Sequence, residues 1–159
     1  YKIDAGYATT LYNGGAVASA AGYIVDGQTT DAPIIGVLNG IFYNAATTLK
    51  PTFANFYTQV TPANSEDIDA FVFDSPTQQY VVATDDAVTQ AGFLETYDMN
   101  TSAGSDITGK SSATLDIGDT SADSATFRLL RVAEDPENED ITAARCSVVV
   151  VPNLIELQS

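Results

Sequence analysis

The side chains in this sequence with the most chemical potential are carboxylates. The densest run is Glu134 to Asp140, "EDPENED", set between two apolar segments. A looser set lies in "DIGDTSAD", with Asp116, Asp119 and Asp123. Several carboxylate and carbonyl oxygens together suit a hard cation such as calcium. Two carboxyls across a cleft can serve as the acid and base of a glycosidase. The abundance of acids also admits a carboxylate-based hydrolase on Glu134, Glu137 and Glu139. The remaining use involves no chemistry: a loop between two strands is rich in charge because it faces water. Details favour that last use. An EF-hand loop needs a central Gly, and "EDPENED" has none. A sugar cleft wants aromatic walls, whereas aromatics make up 9% of the chain and Trp is absent.

Histidine is also absent, which removes Ser-His and Cys-His pairs and imidazole metal sites. No G-x-S-x-G elbow, phosphate-binding glycine loop or H-E-x-x-H is present. Cys146 is the single cysteine, so neither an internal disulfide nor a cysteine zinc cluster can form, and its apolar neighbours predict a buried thiol. No catalytic residue, cofactor or metal is therefore expected.

Cations are scarce and correspondingly informative. Twenty-one Asp and Glu face six Lys and Arg, a formal charge of −15. Such a field repels phosphate backbones and anionic lipid, so neither nucleic acid nor membrane is expected as a partner. No apolar run reaches the roughly 20 residues of a membrane helix. Three of the six cations, Arg128, Arg131 and Arg145, fall in or beside the last two apolar segments. The opposite parity of Arg128 and Arg131 predicts that they point to opposite faces of a strand. An Arg there can clamp a carboxylate inside the fold or on a neighbouring subunit, or simply offset acids at the surface.

The elements that position these groups read as strands. The chain has 159 residues, of which 45% are hydrophobic and 17% charged. It is long enough and apolar enough for one folded domain, 1–159. Segments rich in Val, Ile, Phe, Tyr and Thr alternate with Gly, Pro, Asn and Asp turns. They are Val17 to Val25, Ile34 to Tyr43, Thr52 to Val60, Asp67 to Phe73, Tyr80 to Thr84, Phe93 to Tyr97, Ala113 to Ile117, Thr126 to Ala133 and Arg145 to Val151. Only Ala83 to Glu95 carries a helical signal, stopped by Gly92. Connections too short for crossover helices predict an all-β fold, an antiparallel β-sandwich or small jelly-roll-like barrel.

In "IDAFVFD", Phe71 and Phe73 share one face and Ile68, Ala70 and Val72 the other, so a central strand with two apolar faces is expected. "SVVVV", Ser147 to Val151, has the same character. A second cover from another copy or a partner follows, since large exposed apolar patches are unusual in monomers. Residues 1–33 are rich in Ala, Gly and Thr and read either as an extended arm or as an edge hairpin about Asn13 to Gly15. Residues 34–153 form the β core, and 154–159 a tail. The chain begins at Tyr1 rather than Met, which leads us to expect a segment upstream, and "YKIDAGYATT" has no signal-peptide pattern.

The order of blocks adds a resemblance. "GVLNGIFYNAATTLKPTFANFY" is followed by "IDAFVFDSPTQQYVVATDD", then "GKSSATLDIGDTSADSATFRLLRVAEDPENED" and "ARCSVVVVPN". This order, over Gly36 to Asn153, resembles capsid decoration or cement proteins of tailed bacteriophages. Phe56 and Tyr57 stand where that pattern has a Tyr-Trp-like pair, and the N-terminal third departs from it. The resemblance implies a non-enzymatic virion protein on the outer surface of an icosahedral head of the HK97 type. Its partners would be the major capsid protein and other copies of itself, as dimers or trimers on local symmetry axes. Contact positions chosen on chemistry are Tyr7, Leu11 and Tyr12 in the arm and Arg128, Arg131 and Arg145 in the C-terminal hairpin. The alternative from another class is a carbohydrate-binding or adhesive β-domain on a virion or cell surface.

Overall fold

The computed structural model describes residues 1–28, 33–100, 104–118, 125–136, 138, 140–153 and 155–156. Its strands are β1 (Lys2–Ile3), β2 (Ala16–Ala20), β3 (Tyr23–Asp26), β4 (Gly36–Asn44), β5 (Pro51–Ala54), β6 (Ile68–Phe73), β7 (Tyr80–Ala83), β8 (Thr96–Tyr97), β9 (Phe127–Val132) and β10 (Ser147–Pro152). They form two antiparallel sheets. One runs β1-β6-β4-β2-β3, with β5 also on β4, and the other runs β7-β10-β9-β8. The fold is all-β and sandwich-like, with open sheets and no closed barrel among the described residues. No helix of the described residues is long and apolar enough to cross a membrane.

Each sheet feeds its own buried cluster. Ile3, Leu38, Ile41, Ile68 and Ala70 gather under the first sheet with Leu11 and Tyr57. Phe127, Leu129, Val148 and Val150 line the second, with Tyr97, Met99 and Leu115. Strand alternation makes β2 the link: Ala16 joins the second cluster and Val17 the first. Ile34 and Ile35 divide the same way.

Residues 1–28 are part of this architecture. The apolar run at 17–25 is a hairpin rather than one strand: Ala20 pairs with Tyr23 across Ala21 (φ 51°) and Gly22 (φ 86°). Two successive positive φ values suit a two-residue hairpin loop, whose twist matches that of the strands. The turn thus falls at Ala21–Gly22 and not at Asn13–Gly15, where Asn13 and Leu11 instead make bridges to Lys110 and Tyr57.

The expected helix at 83–95 is absent, replaced by a single 3-10 turn, Gln90–Gly92. Asp86 accepts a hydrogen bond from the Ala87 N–H at 2.7 Å, and Asp85 accepts one from the Ile117 N–H at 3.0 Å. Carboxylates that bind nearby backbone compete with helical bonds. The 52–60 segment forms a strand only over β5, and 113–117 contributes bridges at Leu115.

Candidate interaction surface

The three arm positions lie within the fold. Leu11 is 1% exposed and exchanges two backbone hydrogen bonds with Tyr57. Tyr12 is buried, stacked on Phe56 with ring centroids 6.1 Å apart, and its hydroxyl donates to Asp106. Tyr7 is half-buried, and its hydroxyl accepts the Asp26 N–H at 2.8 Å. Leu11 and Tyr12 are thus covered by the chain's own packing, and a partner reaches them only by opening it.

The arginines stay at the surface, in an unexpected arrangement. The β9–β10 ladder pairs Arg131 with Val149 and Arg128 with Val151, with a register shift that leaves Leu130 as the extra residue. Val149 and Val151 are two apart on one strand and share a face, and cross-strand partners share it too. The bulge thus brings Arg128 and Arg131 to the same outer face, correcting the parity argument. Arg128 donates to the Leu94 carbonyl at 2.8 Å and to Asn153 Oδ1 at 3.3 Å. Arg131 makes a long ion pair with Glu134, 3.9 Å, open to solvent. Arg145 is exposed and lines a cleft between the sheets.

In the acidic run, Glu134, Asp135, Pro136 and Asp140 are exposed and Asn138 is half-buried, while Glu137 and Glu139 lie outside the described residues. Asp119 and Asp123 lie outside them as well. Among the described residues no group of three or more His, Cys, Asp or Glu is placed to hold a metal ion. Cys146 is a buried free thiol. Asp98, which sequence reasoning passed over, is a buried carboxylate that accepts from the Thr126 N–H at 3.0 Å and secures the start of β9.

The most conspicuous surface is on the first sheet. One face of β6 carries Ile68 and Ala70 into the core, and the other presents Phe71, 47% exposed, and Phe73, 52% exposed. Register adds two more rings to that outer face. Phe42 pairs with Asp69, which shares parity with Phe71 and Phe73, and Phe53 of β5 pairs with Phe42. Phe53 is 63% exposed and Phe42 36%. Together these four expose about two whole rings, roughly 400 Å². That is the size at which an apolar patch on a monomer is often functional. Covering it is worth on the order of 10 kcal/mol before association costs. Its rim is charged: Lys2 and Asp69 form an ion pair at 2.7 Å, and the Tyr1 hydroxyl donates to Asp74. The alternation of "IDAFVFD" pointed to Phe71 and Phe73. Phe42 and Phe53 were missed because their place depends on pairing between strands.

No family model, no curated protein and no solved structure matches this chain.

Proposed function

We propose that the chain is a non-enzymatic capsid decoration protein that binds the outer surface of an HK97-type icosahedral head and bridges its subunits. The observation that carries this reading is the uncovered four-phenylalanine face on an otherwise strongly acidic molecule. An apolar centre inside a charged rim is the composition of a protein interface. The order of sequence blocks supplies the class of partner, the major capsid protein. A charge of −15 suits an outer surface and disfavours contact with packaged DNA. Many weak copies on a symmetric lattice gain strength by avidity, so a patch of this size suffices.

The test is co-sedimentation of the purified protein with heads assembled without it, beside a variant carrying Phe53→Ser and Phe71→Ser. Saturable binding that the variant loses at least tenfold supports the reading. Absent binding by the parent protein sinks it. Glycan-array binding by a protein that ignores heads would move the assignment to the carbohydrate-binding alternative.

A further inference from the structure

A cleft of 520 Å³ opens between the two sheets. That volume is within the range of sites that hold a small ligand. Its charge runs against that of the molecule. Lys110 and Arg145, two of the chain's six cations and distant in sequence, both line it. None of its described lining residues is Asp or Glu. The ion pairs among the described residues are Lys2–Asp69 and Arg131–Glu134, so neither lining cation is neutralised by a described carboxylate. Arg145 also holds a left-handed backbone, φ 64°. That conformation costs a non-glycine residue about 1 kcal/mol or more. Between the cations the walls are apolar, with Val37, Phe73, Val82 and Val150.

The cleft also contains an open strand edge. β7 ends its sheet, pairing with β10 on one side only. Residues of an antiparallel strand direct their N–H and C=O alternately to its two edges. The Ala83 carbonyl accepts from the Leu115 N–H at 2.9 Å, on the side away from β10. Val81, two residues earlier, therefore faces the same way, with its main-chain groups toward the open edge. Val81 lines the cleft and is 66% exposed.

We propose that this cleft takes an extended peptide segment bearing carboxylate side chains, added as a strand along the Val81 edge of β7, with its carboxylates on Lys110 and Arg145. Main-chain bonds supply affinity in this mode, and side-chain pockets supply selectivity. An acidic occupant fits because the described lining of the cleft carries two cations and no carboxylate, on a molecule whose overall field repels acids. That field disfavours casual binding of such a peptide elsewhere. The inference does not rest on the capsid reading and stands or falls separately from it.

The probe is a fluorescein-labelled, end-blocked octapeptide alternating Val and Glu, titrated with the whole protein and followed by anisotropy. Its controls alternate Val and Gln, or carry N-methyl groups on the valines. Expected are saturable binding of the Glu peptide, at least tenfold weaker binding of the Gln peptide, and a comparable loss on N-methylation, which breaks the ladder without altering the protein. Lys110→Glu with Arg145→Gln should weaken the Glu peptide at least tenfold while circular dichroism stays unchanged. Equal affinity for Glu and Gln peptides, indifference to N-methylation, or no binding of the Glu peptide at all would overturn the proposal. If the double variant fails to fold, the two peptide comparisons still decide it.

Discussion

The rings of Phe53 and Phe71 meet with centroids 6.0 Å apart and planes tilted by 43°, above the glycine that separates their strands. Gly40 pairs with Phe71 and has φ 142°, a conformation that side chains rarely adopt. A Cβ there would lie 2.8 Å from Phe53 Cζ and 3.0 Å from the Ala54 carbonyl oxygen. The missing side chain at Gly40 leaves the room that the Phe53 ring fills, which lets two rings on different strands form one continuous apolar surface.

Gly40→Ala should therefore act twice. Backbone strain and the displaced Phe53 ring together should lower stability by about 1–3 kcal/mol in urea unfolding. The same variant should bind heads more weakly than its loss of stability explains, because the face is broken. Unchanged unfolding and unchanged binding would show that neither the glycine nor the ring pair matters.

Much of this surface was legible before the fold, and the reasons for the rest are physical. Strand identity and facing at 68–73 follow from alternation, which is local. Leu11 and Tyr12 read as an exposed arm because nothing near them in sequence covers them; their cover is Tyr57 and Phe56, far along the chain. The bulge at Leu130 has no glycine or proline to announce it, since it arises from matching β9 to β10. Ala16 and Val17 enter different buried clusters, and the sequence of 1–33, which reads either as an extended arm or as an edge hairpin, has no local signal for that division.

Shared facing does not make Arg128 and Arg131 equivalent. Arg128 ties β9 to the Leu94 carbonyl and to Asn153. Arg128→Ala should therefore cost about 1–2 kcal/mol. Arg131→Ala removes a solvent-exposed pair at 3.9 Å. Its stability should stay within about 0.5 kcal/mol of the parent. Chemical denaturation of the two variants side by side checks the ranking, and equal costs would contradict it.

Tyr57 is one of the groups that tie folding to alkaline pH. It is fully buried, its hydroxyl donates to the Tyr7 carbonyl, and burial, followed by the nearby Asp4 carboxylate, pushes its pKa above the ordinary tyrosine value. The unfolded chain releases this proton at about pH 10 while the folded chain holds it. Stability is thus fully present below that pH and is lost as pH rises toward the folded value. Tyr57→Phe should cost about 1 kcal/mol at neutral pH from the lost bond. Its stability should then fall less steeply in the alkaline range, so that the two curves converge. Parallel curves would show that Tyr57 does not titrate against folding. Burial also raises Tyr80 and Tyr97, so some slope should survive in the variant.

In the acidic loop between β9 and β10 the amide of Asn138 ties the chain to backbone on both sides. Asn138 Nδ2 donates to the Ser147 carbonyl at 2.7 Å and to the Ala133 carbonyl at 3.1 Å, while its Oδ1 accepts the Ser147 N–H at 2.8 Å. One side chain thus closes the loop where the two strands diverge. Of the described carboxylates around it, the Glu134 side chain is 90% exposed, and Asp140 is held below the ordinary carboxylate pKa by the hydroxyl and N–H of Thr142. Asn138→Leu should cost about 1–3 kcal/mol, since it takes the partner from the Ser147 N–H and leaves the Ser147 and Ala133 carbonyls with one backbone donor each, Ala133 N–H and Asp135 N–H. Asn138→Asp should be no better, because a carboxylate keeps the acceptor but faces two carbonyls without a proton to donate. Glu134→Gln should change stability by no more than about 0.5 kcal/mol. Urea titrations of the three variants separate the two accounts of this loop. If Glu134→Gln proved as damaging as Asn138→Leu, the carboxylates would have a structural role that their exposure does not explain.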